Sequence, residues 1–173
     1  MRHPLCPTCH KRYVYRSRRR GLIEHVASLL YVYPFRCQVC THRFLAFLRG
    51  VRFDEHQIER RDYIRIPLRY TATFLGEMTG RTVNLSVQGC ALDTETFPPK
   101  DGVLRLSLHP LHQSKDLPDI QVEAAVARSV EESLHLIGLE FVGLTSADRQ
   151  RLQQIVEKYL HDHPEQLRLP LSI

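Results

Sequence analysis

The sequence predicts a mainly β chain in two modules. A small cysteine-bearing ribbon with a helical insert comes first, and an antiparallel sheet or barrel closed by one C-terminal helix follows. Three observations predict it. Four of the five cysteines fall within the first forty residues as two CxxC pairs. The charge changes sign along the chain. Six short β-patterned segments, with no helical pattern between them, lie between Leu68 and Phe141.

The charge split is steep. Of 173 residues with a formal net charge of +5, residues 1–52 carry eleven Lys/Arg against one acid, Glu24, a net of +10. Residues 53–173 carry 13 Lys/Arg and 18 Asp/Glu, a net of −5. Two modules with different electrostatic roles are the simpler reading. An apolar fraction of 43% with 25% charged residues is ordinary globular composition and excludes a wholly disordered or fibrous chain. No apolar run reaches the roughly 18 residues that span a bilayer; the most apolar stretch, Gly21 to Phe35, is interrupted by Glu24 and His25. The N-terminus lacks the apolar core and small-residue cleavage site of a signal peptide, so a cytoplasmic location is expected.

Cys6-Pro-Thr-Cys9 and Cys37-Gln-Val-Cys40 have the spacing at which a turn presents two thiolates to one tetrahedral ion. Together they predict a closed four-thiolate site holding structural Zn2+, with iron as the chemical rival because four sulfurs alone do not choose between them. Disulfides are disfavoured in a reducing compartment. A redox CxxC needs only one dithiol, and four thiolates leave no open position for metal catalysis. Thr41 stands where glycine often follows the last cysteine. The 27 intervening residues exceed the roughly 15–20 of compact fingers, so something folds between the knuckles. Leu22, Ile23, Val26, Leu29 and Leu30 recur at helical spacing and predict a short amphipathic helix, ended before Pro34 and packed beside the ribbon. The basic run Arg16-Ser17-Arg18-Arg19-Arg20, with Tyr13 and Tyr15 near it, suits nucleic-acid phosphates, anionic lipid heads or an acidic protein partner.

Residues 51–59 show no strong periodicity and read as a linker between a module at 1–50 and a domain at 60–173. The β segments then run Leu68–Phe74, Thr82–Ser86, Cys90–Thr94, Gly102–Leu108, Ile120–Arg128 and Leu134–Phe141. Gly76 and Gly80 flank a turn. Leu104, Leu106 and Leu108 alternate as a half-buried strand should, and Cys90 reads as a small buried strand residue. Thr145 or Ser146 caps a helix whose stripe is Leu152, Ile155, Val156, Tyr159 and Leu160, and which stops before Pro164. His161 and His163 sit at its exposed end.

Two motifs now stand out. Arg60-Arg61-xxx-Arg65 reads RRxxxR, and nineteen residues after it Asn84-x-Ser86-x-x-Gly89 reads NxSxxG. Both, in this order, together with Gly138-Leu-Glu-Phe141 before the last helix, resemble the PilZ domain family over roughly residues 56–161. The resemblance implies a six-stranded antiparallel β-barrel with a C-terminal α-helix. It also implies a bacterial second-messenger receptor that binds cyclic di-GMP through Arg60, Arg61, Arg65, Asn84, Ser86 and Gly89. The N-terminal module resembles zinc ribbons in its two knuckles.

The residue types suit that ligand. Arginine pairs with phosphates, meets guanine O6 and N7 as a fork and stacks on base faces. Asn84 and Ser86, two apart on a strand, share one face, and Gly89 permits a tight turn and close backbone approach. Asn84 is the rarer choice at its position and lacks the carboxylate charge. The expected function is therefore signal transduction: messenger binding resets the orientation or partner binding of the basic ribbon. The alternative is a nucleic-acid-binding or protein-interaction ribbon on a non-binding scaffold. GxSxG, HExxH, P-loop and Rossmann patterns are all missing from the sequence, which argues against an enzyme.

Overall fold

A computed structural model describes residues 4–50, 61–99, 102–111, 117–131 and 135–163. The expected linker at 51–59 and Arg60 lie outside them. The chain divides into two compact units, Met1–Ile64 and Arg65–Ile173.

The first unit contains β1 (Val14–Arg16), α1 (Gly21–Leu29), β2 (Val32–Cys37) and β3 (Arg43–Phe47). The strands form an antiparallel sheet in the order β1-β2-β3. Its core is small: among the described residues Val14, Tyr33, Phe35, Val39 and Ile64 are buried beside Cys6 and Cys37. Phe35 faces Phe44 across the β2–β3 ladder with ring centroids 6.1 Å apart. Such a core cannot hold many residues in place by burial alone, which is why a unit of this size calls for a staple.

The helix α1 forms where its periodicity predicts, but its attachment is inverted. None of its residues is buried, and the apolar stripe expected to pack beside the ribbon faces outward. The contact is polar instead. Arg43 of β3 donates from Nη1 and Nη2 to the two carboxylate oxygens of Glu24 at 2.5 and 2.8 Å. Glu24 also accepts from the Arg20 backbone N–H at 2.5 Å, and so supplies the end of the helix that no side chain of Arg20 caps. The Arg43 fork holds the Glu24 carboxyl at about 2. The helix ends well short of Pro34, which lies inside β2; Tyr31, at φ 60°, turns the chain into that strand.

The second unit comprises β4 (Tyr70–Phe74), β5 (Met78–Ser86), β6 (Gly89–Asp93), β7 (Val103–Pro110), β8 (Ile120–Glu131), β9 (Leu136–Val142) and α2 (Ser146–Asp162). The strands close into an antiparallel barrel in the order β4-β5-β6-β9-β8-β7. Closure leaves no sheet edge to pair with another chain. The interior is built by alternation: Tyr70, Ala72 and Phe74 from β4, Leu104, Leu106 and Leu108 from β7, and Ile137, Leu139 and Phe141 from β9 are buried. Cys90 is buried on β6, where burial pushes its thiol up to about 12. Gly80 does not flank a turn. The β4–β5 hairpin turns at Leu75 and Gly76, both with positive φ, and Gly80 pairs with Ala72 inside the ladder.

Thr145 is the N-cap of α2. Its Oγ1 accepts from the Asp148 backbone N–H at 3.1 Å while the Asp148 carboxylate accepts from the Thr145 N–H at 3.3 Å, a reciprocal capping box. Leu152, Ile155, Val156 and Leu160 are buried from this helix, and Tyr159 stacks instead on His163. Among the described residues no helix is long and apolar enough to cross a membrane.

Candidate functional site

The four cysteines of the two knuckles converge. The Sγ atoms of Cys6, Cys9, Cys37 and Cys40 lie within 4.8 Å of one another, with Cys6–Cys40 and Cys9–Cys37 each at 3.5 Å. A tetrahedron with Zn–S bonds of about 2.3 Å has sulfur–sulfur edges of about 3.8 Å, so the cluster has the size such an ion needs. The two knuckles are built alike. In each, the first cysteine N–H reaches the carbonyl five residues on, Cys6 to Lys11 at 3.1 Å and Cys37 to His42 at 3.0 Å. Burial pushes the Cys9, Cys37 and Cys40 thiols up to about 11. At Cys6 burial acts the same way but is outweighed by hydrogen bonds from the Cys9 and Thr8 backbone, which bring it down to about 7. A cation entering the cluster must displace protons.

Each knuckle also needs a left-handed residue just after its second cysteine: His10 at φ 56° and Thr41 at φ 60°. Threonine is a poor occupant, because its branched Cβ meets the following carbonyl in that conformation. Replacing it should help. Thr41→Gly is expected to stabilise the first unit by about 1 kcal/mol, read as a raised midpoint in denaturant unfolding followed by ribbon signals. An unchanged or lowered midpoint would mean the threonine carries a contact that offsets its strain.

The second knuckle does more than bring two cysteines to the cluster. Gln38, between its two cysteines, donates from Nε2 to the Arg61 carbonyl at 2.8 Å and accepts on its own backbone carbonyl from the Ile64 N–H at 3.1 Å. Arg36, one residue before the knuckle, forms an ion pair with Asp62. The segment carrying Arg61 is thus fixed to the sheet of the first unit by three anchors around Cys37. A pocket of about 380 Å³ in this unit is lined by Arg16, Arg18, Arg20, Arg36, Arg43 and Arg61, with Tyr15, Ser17, Gln38 and Asp62. Two of its polar atoms, Ser17 Oγ and Arg36 Nε, are buried without a hydrogen-bond partner among the described residues.

The other motif residues gather on one hairpin of the barrel. Asn84, Leu85 and Ser86 end β5, Val87 and Gln88 turn, and Gly89 opens β6 with Ser86 paired to it. Ile66 exchanges both backbone hydrogen bonds with Leu85, at 2.8 and 2.9 Å. Continuing that antiparallel register sets Arg65 opposite Ser86. Ile66 and Leu85 are fully buried, so their neighbours Arg65, Asn84 and Ser86 belong to the opposite face. Ser86 Oγ donates to the Gly89 carbonyl at 3.0 Å, which closes the hairpin on itself. Asn84 Oδ1 is buried with no partner among the described residues. A Cβ on Gly89 would lie 2.2 Å from the Leu139 carbonyl oxygen of β9. The glycine is therefore required by the neighbouring strand, and its φ is not positive.

Residues 59–158 match the PilZ domain family. The chain belongs to the PilZ domain family. No curated protein sequence matches the chain. Solved structures share the fold at low identity. The Bacillus subtilis inhibitor of motility (MotI/DgrA) superposes with a TM-score of 0.50 at 19% identity, covering 75% of this chain and 74% of that one. YcgR from Escherichia coli in complex with c-di-GMP gives 0.52 at 13%, covering 87% and 75%. The K. pneumonia MrkH–c-di-GMP complex gives 0.52 at 17%, covering 92% and 82%.

In this PilZ chain the two motifs are distributed unevenly. Arg65, Asn84, Ser86 and Gly89 come together in the barrel unit, whereas Arg61 falls in the first unit and Arg60 lies outside the described residues. Gln38 and Arg36, which anchor the Arg61 segment, carry no mark in the sequence. Gln38 sits at an unconstrained position of a CxxC knuckle, and neither spacing nor periodicity marks it.

Proposed function

We propose that the chain is a cytoplasmic c-di-GMP receptor, not an enzyme, in which a zinc-stapled ribbon and a PilZ barrel respond together to the messenger. Arg60, Arg61 and Arg65 engage the phosphodiesters and the guanine O6/N7 edges, for which the guanidinium fork is the matching donor. Asn84 adds an acceptor, and Ser86 and Gly89 hold the hairpin that presents it. Cys6, Cys9, Cys37 and Cys40 hold Zn2+ in a closed structural site. The observation that carries this reading is the Ile66–Leu85 bridge, which sets the closing arginine of one motif across from the serine of the other. The c-di-GMP complexes of structurally similar PilZ proteins support the same ligand.

The ribbon is more than a passive attachment in this reading. Its second knuckle anchors the Arg61 segment through Gln38, so ligand contacts made by Arg61 bear directly on the ribbon. Messenger binding changes the ribbon's orientation or its partner binding, by no more than the ligand's differential affinity for the two arrangements. Calorimetric titration of c-di-GMP is the test. The zinc-loaded wild type is expected to give a binding isotherm with the nucleotide recovered intact. Arg61→Ala, which removes a charge-assisted bidentate contact, should weaken it by about 10- to 100-fold. A flat wild-type titration, or equal affinity in the variant, would overturn the assignment.

A further inference from the structure

The outward stripe of α1 is an exposed apolar feature of the ribbon, and nothing in the messenger reading uses it. Leu22, Ile23, Val26, Leu29 and Leu30 are 84%, 82%, 61%, 79% and 68% exposed. Four aliphatic side chains on one short helix, with Leu30 just past its end, are costly to leave uncovered in water, and such patches mark interaction sites. The way the helix is mounted points the same way. Glu24 and Ser28, on its other face, make polar contacts to the ribbon: Glu24 through the Arg43 fork, and Ser28 by accepting from Arg19 Nη1 at 3.3 Å. A helix held by an ion pair on its polar side keeps its apolar side free to meet something else. Phe47 on β3 is also 62% exposed; its partner across the ladder is Val32, three residues beyond the helix end.

We infer that this face docks the ribbon on an anionic lipid surface, lying in the plane of the interface. Charge selects this occupant. The helix starts directly after Arg18, Arg19 and Arg20, and its one acid, Glu24, is already neutralised by Arg43. The surrounding segment, residues 1–52, carries a net +10. Arg18 and Arg20, directly ahead of the helix, are exposed, and an apolar stripe joined to exposed cations suits a helix that buries its apolar side at the headgroup boundary while cations meet lipid phosphates. A second copy of the chain is a poor occupant, because bringing two such helices together would oppose like-charged arginine clusters. Nucleic acid is a poor one too, since aliphatic side chains give bases no stacking surface. A stripe of leucine, isoleucine and valine without a polar donor suits fluid hydrocarbon, which imposes no shape.

Vesicle co-sedimentation of the full-length, zinc-loaded protein tests this, with phosphatidylcholine alone and with phosphatidylglycerol mixed in. Wild type is expected to pellet with the anionic vesicles, and addition of salt should weaken but not abolish binding. The double variant Leu22→Glu/Leu29→Glu should bind at least about tenfold more weakly. Arg18→Gln/Arg20→Gln should lose the preference for phosphatidylglycerol. The mutated side chains are exposed, so zinc content and the c-di-GMP isotherm of the leucine variant should match wild type. That isotherm also separates the two ideas: vesicle binding without messenger binding would sink the receptor reading alone. Undiminished vesicle binding by the leucine variant would overturn the docking inference. So would a wild type that ignores anionic vesicles yet self-associates, or retards nucleic acid, through the same two leucines.

Discussion

Cys37→Ser is expected to cost the first unit both its metal and its fold. Metal analysis should fall from about one zinc per chain to little or none, and amide-exchange protection across β2 and β3 should collapse while the barrel strands keep theirs. The size of the effect follows from the energetics of small metal modules. Structural zinc contributes about 10–16 kcal/mol to the folding of four-ligand peptides, against a total stability of about 5–15 kcal/mol for an ordinary domain. The apolar core of the ribbon is a handful of residues around Phe35, Tyr33 and Val39, too few to replace that contribution. A second consequence is specific to this chain. Gln38 follows Cys37 directly and anchors the Arg61 segment, so the variant should also bind c-di-GMP more weakly than its intact barrel would suggest. Chelation of wild-type zinc should reproduce both losses. Full protection of β2 and β3 in a metal-free variant would show that the thiolate cluster is not what holds the unit together.

Gly89→Ala should destabilise the barrel by about 3 kcal/mol or more. The added methyl carbon meets the Leu139 carbonyl oxygen at 2.2 Å, with Leu139 C and Glu140 Cα at 3.2 and 3.3 Å. All three are backbone atoms of β9, so no side chain can swing aside. The strands must separate where Gly89 pairs with Glu140 and Cys90 with Leu139, next to the Phe141 N–H bond to the Gln88 carbonyl. Denaturant unfolding followed by barrel signals measures the loss. The same displacement moves the Ser86–Gly89 hairpin, so messenger affinity should fall with stability. A variant as stable as wild type would mean β6 and β9 have slack that the 2.2 Å approach denies.

Much of this was written in the chain. Alternation in Leu104, Leu106 and Leu108 and the capping signal at Thr145 are local patterns, and each appears where its period places it. The paired CxxC spacing identified four sulfurs that do converge. The roles of individual motif residues were less legible. Ser86 reads as sharing a face with Asn84, and its hydroxyl closes its own hairpin. Gly89 reads as permitting a tight turn and a close backbone approach; the backbone that approaches it is β9, some fifty residues along the chain. Gly80 reads as a turn glycine only until β5 is seen to begin at Met78.

The sequence by itself determined the six barrel segments and the two helices, which sulfurs meet, and which family the barrel joins. Those properties follow from side-chain period, ligand spacing and motif order, all of them short-range. Tertiary structure alone decided which way α1 faces, what fixes the Arg61 segment and why position 89 tolerates no Cβ. Each of those depends on a partner far away in sequence: Arg43 for Glu24, Gln38 for Arg61, Leu139 for Gly89. The helix is mounted through its polar side because the Arg43 fork meets both Glu24 carboxylate oxygens, a pairing no periodicity in α1 encodes.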